Sequence, residues 1–206
     1  KNSLGLKFVP VPGTEVLFSI WDTRVQDYGE FLKADGKEVG TLAGPTHPVV
    51  NVSWEEAKAF CKWLTEKEGK EGWLVKGQEY RLPLDKEWSR AVGLGQELGA
   101  TPAGKSGQVT GYPWGKAWPP PKGAGNYAVS LNVDEFDQTS PVGSFKANKF
   151  GLYDMGGNVW QWCEDLHNPQ LSGDKNRVLR GASWLDVYPD YLASSCRSAD
   201  ASRCSR

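Results

Sequence analysis

Between Gly93 and Gly125 the chain carries nine glycines and five prolines in 33 residues, and no helix or strand period runs through them. A stretch this long without periodicity rules out a bundle of long helices or a regular alternation of strands and helices. Inside a compact domain it must be held by something other than its own hydrogen-bonding ladder. Tyr112, Trp114 and Trp118 fall within it, whereas disordered segments are poor in aromatics. The expectation is an ordered, irregular layer. Ten tryptophans and 24 glycines in the whole chain point the same way, to large rings packed on irregular backbone.

Regular elements are expected on either side of that layer. Leu6 to Val11 and Val16 to Trp21, separated by Pro12-Gly13, read as a hairpin. Thr23-Arg24-Val25-Gln26 reads as a capping box, opening a helix with Val25, Tyr28, Phe31 and Leu32 on one face and an end near Asp35-Gly36. Ser53-Trp54-Glu55-Glu56 is a second box. The helix behind it repeats Trp54, Ala57, Phe60, Cys61 and Leu64 at helical spacing, with Gly69 as its stop. A short helix is expected over Asp85 to Val92. Short strands are expected around Phe150 to Asp154, Val159 to Glu164, Val178 to Ser183 and in the tail. The class is α+β with two main helices, short strands and much irregular structure.

At 206 residues the chain suits one domain, 1–206, which buries roughly 70% of the surface its unfolded chain exposes. With 24 basic and 25 acidic residues, no charge excess draws it to nucleic acid, and no apolar run is long enough to span a membrane. The chain opens on Lys1, so a removed N-terminal segment is expected. Cysteines at 61, 163, 196 and 204 allow two disulfides in three pairings, and their spacing excludes a CxxC motif. No P-loop, GxGxxG or Ser-His-Asp elbow is present. A calcium-dependent lectin triplet, Glu-Pro-Asn or Gln-Pro-Asp, is absent as well.

The last 22 residues, Leu185 to Arg206, contain no Lys, Glu, Gln, Met or Trp, although those types make up 47 of the 206 residues and about five would be expected there. They are the five types that no codon ending in cytosine encodes. Scaffold over 1–176 followed by a permissive region at 177–206 is the pattern of a binding surface rather than of a catalyst.

Several segments, in order, resemble the formylglycine-generating-enzyme/sulfatase-modifying-factor domain, a variant of the C-type-lectin-like fold. They are Val52 to Ala57, Arg81-Leu82-Pro83, Glu87-Trp88, Tyr112-Pro113-Trp114-Gly115 and Pro141-Val142-Gly143. Most specific is Gly151-Leu152-Tyr153-Asp154-Met155-Gly156-Gly157-Asn158-Val159-Trp160-Gln161-Trp162-Cys163, and Arg177 to Trp184 with Cys196 to Ala199 close the series. The resemblance places Trp54, Trp88, Trp114, Trp160, Trp162 and Trp184 at scaffold positions. Catalytic members hold copper on two cysteines, and an ungapped match from Arg180 to Cys196 puts Asp186 and Tyr191 there. Carboxylate and phenol are poor ligands for Cu(I), so no copper and no oxidase activity are expected. The alternative is a copper oxidase of this type working through Cys196 and Cys204.

A second branch of the fold is more similar still, the variable proteins of diversity-generating retroelements. There adenine-directed mutation turns AAC codons into any codon ending in C. This resemblance makes Ala182, Leu185, Asp186, Val187, Tyr188, Asp190, Tyr191, Leu192, Ala193, Ser194, Asp200, Ser202 and Arg203 the diversified ligand-binding positions. Arg180, Gly181, Ser183, Trp184, Cys196, Arg197 and Ala199 would be scaffold. The partner implied is a protein or other macromolecule, met at the cell surface or after secretion, with a lipid anchor on the removed segment as one route. A Cys61–Cys196 disulfide follows from exported members of the family. Two calcium clusters also follow from the resemblance. One is Asn126, Tyr127, Asp134 and Phe136; the other is Asp154, Gly157, Val159 and Gln161.

Overall fold

The computed structural model describes residues 1–37, 44–108 and 110–200. The hairpin forms as expected: β1 (Phe8–Pro10) pairs antiparallel with β2 (Leu17–Ser19). It is followed by α1 (Val25–Ala34), whose N-cap is Arg24 rather than Thr23. The Asp27 carboxylate makes the difference, accepting from the Arg24 backbone N–H at 3.0 Å and from its guanidinium at 2.8 Å. An acid three residues into the helix closes the box that the Thr–Gln spacing suggested one residue earlier.

Helix α2 (Trp54–Lys70) starts on the Ser53–Glu56 box. It runs through Gly69, and the left-handed residue that follows is Gly72, at φ +77°. Phe60 and Leu64 pack with Leu6, Tyr28 and Val52 in one buried cluster. Glu68, also on this face, is fully buried and accepts from the backbone N–H of Ser3 at 2.9 Å and from the hydroxyls of Ser3 and Tyr80. Helix α3 (Asp85–Val92) places Trp88 and Ala91 in a second cluster with Val11, Leu152, Met155, Cys163 and Val178. After α3, regular structure thins to a single turn, α4 (Pro102–Lys105), and a 3₁₀ turn at Val129–Leu131.

A three-stranded antiparallel sheet closes the fold. Its order is β3 (Gln161–Leu166), β4 (Arg177–Arg180), β5 (Ser198–Asp200), so β4 is central and the tail supplies an edge. β4 stops at Arg180 instead of reaching Ser183, because Gly181 and Ala182 both turn left-handed, at φ +98° and +63°. The segment 150–154 is not a strand. Asp154 sits at φ +52° and Gly157 at +82°, and this turn brings the backbone against Asn126 and Tyr127. A Cβ on Gly157 would lie 2.4 Å from the Asn126 carbonyl, and one on Gly156 would meet Pro113 at 2.4 Å. Only glycine allows that approach.

Several tryptophan rings pack as scaffold and spend their N–H groups on it. Trp88 and Trp162 are buried, donating to Gln161 Oε1 at 2.6 Å and to the Val52 carbonyl at 3.0 Å. Trp54 donates to the Cys163 carbonyl, and Arg177 stacks 3.9 Å over its ring. Trp73 and Trp118 are instead exposed.

Candidate functional site

Segment 181–197 loops out between β4 and β5, and both ends are held by buried arginines. Arg180 is fully buried, with its guanidinium on Asp85, at 3.1 Å from Ser89 Oγ and 2.8 Å from the Ser194 carbonyl. Arg197 reaches Asp85 at 3.1 Å, Glu97 at 2.6 Å and the Ser195 carbonyl at 2.8 Å. Two guanidiniums and two carboxylates make a neutral buried set. Burial would raise the Glu97 carboxyl, yet the Arg197 guanidinium holds it below the usual range. Further bonds run from the Ser194 N–H to the Gly111 carbonyl at 2.9 Å and from the Arg197 N–H to Ser106 Oγ. On the tail side, then, the pinning groups at 194 and 195 are main-chain atoms, which every residue type provides except proline's missing N–H.

Between those anchors the side chains divide. Leu185, Tyr188, Asp190 and Tyr191 are exposed, while Val187 and Ala193 are half-buried. Tyr188 caps the short helix α5 (Pro189–Leu192), and its ring lies 6.5 Å from that of Tyr191. The helical turn explains why this stretch shows no strand alternation.

Three expected display positions are corrected. Ala182 is fully buried with Tyr127, Val133 and Leu192, and its left-handed backbone is the reason that glycine suits the position. Leu192 is core at 2% exposed, and Ser194 is buried against Gly111. Leu192→Ala is therefore expected to cost about 2–5 kcal/mol in urea unfolding, as a core truncation does. A loss of binding at unchanged stability would return Leu192 to the surface.

Two other positions are placed differently from a free contact. The Asp186 carboxylate accepts from Ser183 N–H and Oγ at 2.8 and 2.7 Å, closing a turn. Asp200 lies in β5 opposite Arg177. Ser202 and Arg203 lie outside the described residues, as does Cys204.

Cys61, Cys163 and Cys196 are free thiols, so the Cys61–Cys196 disulfide is not present. Cys61 lies on α2 within the field of Lys58 and Glu164, whereas Cys196 neighbours Arg180 and Asp186. Burial pushes both thiols up to about 11, which disfavours the thiolate that a copper ion or a disulfide exchange would use.

In the first oxygen cluster both side chains, Asn126 and Asp134, are held by hydrogen bonds. Asn126 is fully buried, and its Nδ2 donates to the Gln138 carbonyl at 2.7 Å. Its Oδ1 is a buried acceptor with no hydrogen-bond partner among the described residues. The Asp134 carboxylate draws the loop together, accepting from the N–H groups of Tyr127 at 3.1 Å and Phe136 at 2.9 Å. An orphaned amide oxygen in a loop drawn in by a carboxylate fits a hard cation.

The second cluster does not fit as a set. Gln161 is committed at both ends, accepting from Trp88 Nε1 and donating to the Asp154 carbonyl at 2.7 Å. Asp154 accepts from the Gly143 N–H at 2.7 Å; burial pushes its carboxyl up to about 6. Beside it Asp22, which the sequence did not single out, is pushed well up by burial and by the charge of Asp154. Among the described residues no group of three His, Cys, Asp or Glu side chains is placed to hold a metal, and no helix is long and apolar enough to cross a membrane.

Comparison with known proteins sets these features in a family. The chain is 37% identical over 151 residues to the inactive C-alpha-formylglycine-generating enzyme 2 of Mus musculus, covering 68% of this chain and 38% of the relative. It is 31% identical over 163 residues to the formylglycine-generating enzyme of the same species, covering 73% and 39%. The chain thus spans about two fifths of the length of these relatives. In structure it resembles Treponema denticola variable protein 1, with a TM-score of 0.63, 20% identity and coverage of 97% of this chain and 88% of that one. PvdO from Pseudomonas aeruginosa matches with the same TM-score at 21% identity, covering 97% and 87%. These likenesses establish the fold expected from the sequence, the C-type-lectin-like fold in its formylglycine-generating-enzyme form. Residues 20–206 match the model of the sulfatase-modifying factor enzyme 1-like domain, and the chain belongs to that family.

Proposed function

We propose that this chain is a non-enzymatic ligand-binding domain whose tail is a retroelement-diversified recognition surface, acting at the cell surface or after secretion. The observation that carries this reading is the division of labour around segment 181–197. Buried Arg180 and Arg197 grip main-chain carbonyls, while Leu185, Tyr188, Asp190 and Tyr191 point outward from a frame that does not use them. Exposed tyrosines supply rigid contact area at low entropy cost. The copper positions expected from the resemblance speak against catalysis, since Asp186 is turned inward onto Ser183 and Tyr191 is a phenol.

The test is to sequence the 3′ end of the gene and its flanking DNA from independent clones. The expected result is variation confined to codons of the outward-facing tail positions, opposite a nearby template repeat and beside a reverse transcriptase gene. An invariant tail with no template would overturn the reading. The alternative, an oxidase using Cys196 and Cys204, would then be tested by stoichiometric copper binding.

A structural calcium ion belongs to the same proposal. The side chains of Asn126 and Asp134, with the carbonyls of Tyr127 and Phe136, would hold it, and the ion would neutralise Asp134 and satisfy the orphaned Asn126 oxygen. Calcium at 100-fold over its Kd is expected to stabilise the fold by about 2.7 kcal/mol relative to chelator. Asn126→Ala should remove most of that difference, read as the shift in melting temperature. Equal melting temperatures with calcium and with chelator would overturn the assignment.

A further inference from the structure

The tail does not face solvent alone. A cleft of about 300 Å³ separates α5 from the loop after α4, with Thr110, Tyr112 and Lys116 on one bank and Pro189, Asp190 and Ala193 on the other. Its frame is again main chain, through Ser194 N–H to Gly111 C=O at 2.9 Å and Gly107 N–H to Ser195 C=O at 3.3 Å. One bank therefore belongs to the scaffold and the other to the tail, and their spacing does not depend on the tail's side chains.

The chemistry of the two banks is complementary. Lys116 can only donate hydrogen bonds and Asp190 can only accept them. Among the described residues, neither appears in an ion pair. A charged peptide side chain would satisfy one of them and set a like charge against the other. Adjacent hydroxyls on a neutral molecule both donate and accept, and so satisfy both. Of the cleft's lining residues Tyr112 supplies an aromatic ring, and further rings pack next to it. Tyr112 lies parallel to Trp114, with planes 1° apart at 4.6 Å, and Trp118 leans on it at 5.5 Å while remaining 40% exposed. Tyr188 and Tyr191 stand exposed near the opposite bank. Such rings take the C–H face of a pyranose by dispersion and the hydrophobic effect. The volume lies at the lower limit of small-ligand sites, roughly 300–1,000 Å³, and accommodates one sugar ring.

We propose that this cleft is a saccharide subsite, in which one pyranose ring bridges Lys116 and Asp190 through adjacent hydroxyls and stacks on Tyr112, the ring against which Trp118 leans. Lys116 is the constant half of the contact. Residue 190 is the changing half, and that assignment rests on the diversified-surface reading.

The test uses the intact chain and methyl glycosides of glucose, galactose and mannose, titrated to millimolar concentration. Binding is read by tryptophan fluorescence and by amide chemical shifts. At least one glycoside is expected to saturate and to move the amides of residues 110–116 and 189–193. Lys116→Ala and Asp190→Ala should each weaken that binding at least tenfold with unchanged melting temperatures, and Trp118→Ala should reduce the fluorescence response. No saturable response to any glycoside, binding retained in the double alanine variant, or a charged tripeptide moving the same amides in place of the sugars would overturn the subsite. A variable tail in independent clones together with no sugar binding would sink the subsite and leave the diversified surface standing. Sugar binding with an invariant tail would overturn the role given to residue 190.

Discussion

Asp85→Ala is expected to cost about 3–5 kcal/mol of folding stability, because it removes the carboxylate on which two buried guanidiniums meet. Arg180 is fully buried and Arg197 nearly so, and both reach Asp85 from positions 95 and 112 residues further along the chain. Glu97 remains beside Arg197, but burial already lowers the Arg180 pKa, and Asp85 is the chief opposing influence. Loss of the Asp85 carboxylate leaves Arg180 with Ser89 and the carbonyls of residues 85 and 194, a desolvated charge with no carboxylate in contact. The measurement is urea unfolding of the variant beside the unaltered chain. The paired change Asp85→Ala with Arg180→Met should recover part of the loss, since an apolar replacement of a buried pair is tolerated better than half of one. A cost below about 1 kcal/mol for the single change would mean that the network does not hold the tail.

The second large effect is expected on recognition rather than folding. Tyr188 is 66% and Tyr191 48% exposed, and their rings lie tilted 6.5 Å apart at the outer end of the tail. Replacing both by Ala should leave the melting temperature within the range of ordinary surface changes, about 0.5 kcal/mol. Binding to a partner recognised by this tail should weaken at least 100-fold, the scale of about 2–4 kcal/mol at which central aromatic anchors operate. The pairing of the two measurements is the point: an unfolded variant would place the tyrosines in the core, and unaltered affinity would remove them from the binding surface.

The two predictions concern opposite sides of one segment, and only one side was legible beforehand. The tail composition and the outward tyrosines are visible in the residues themselves. Tyr188 and Tyr191 interrupt strand alternation, and α5 supplies the reason. Leu192, one residue later, is indistinguishable from them in sequence, yet the single helical turn rotates it into the core beside Tyr127 and Val133. A four-residue helix has too few residues to display a period, so no sequence pattern could separate 191 from 192. Ala182 enters the display positions through the resemblance alone, and the structure buries it. Its positive φ marks a backbone requirement, which the side chain's identity does not reveal.

The amphipathic face and the Ser53 box of α2 and the hairpin at Pro12-Gly13 follow from local chemistry and were readable as such, whereas the strand expected over 150–154 is a turn set by Asp154 and Gly157 at positive φ. Local rules still erred by a residue or more where another residue decided the outcome, as the Asp27 carboxylate did for the start of α1 and the left-handed backbone of Gly72 for the close of α2. What sequence could not supply was the partner of each buried charge. Nothing near Arg180 or Arg197 announces Asp85, and nothing near the tail announces Lys116 or Trp118. Periodicity and capping act over one to four residues, and the sequence by itself determined the main elements that depend on them, together with the motifs that carry the family resemblance and the composition of the tail. Desolvation of a charge and the closing of a cleft depend on groups brought together from far along the chain, up to 112 residues apart for Arg197 and Asp85, so the arginine clamp, the inward turn of Leu192 and the second bank of the cleft were decided only in the tertiary structure.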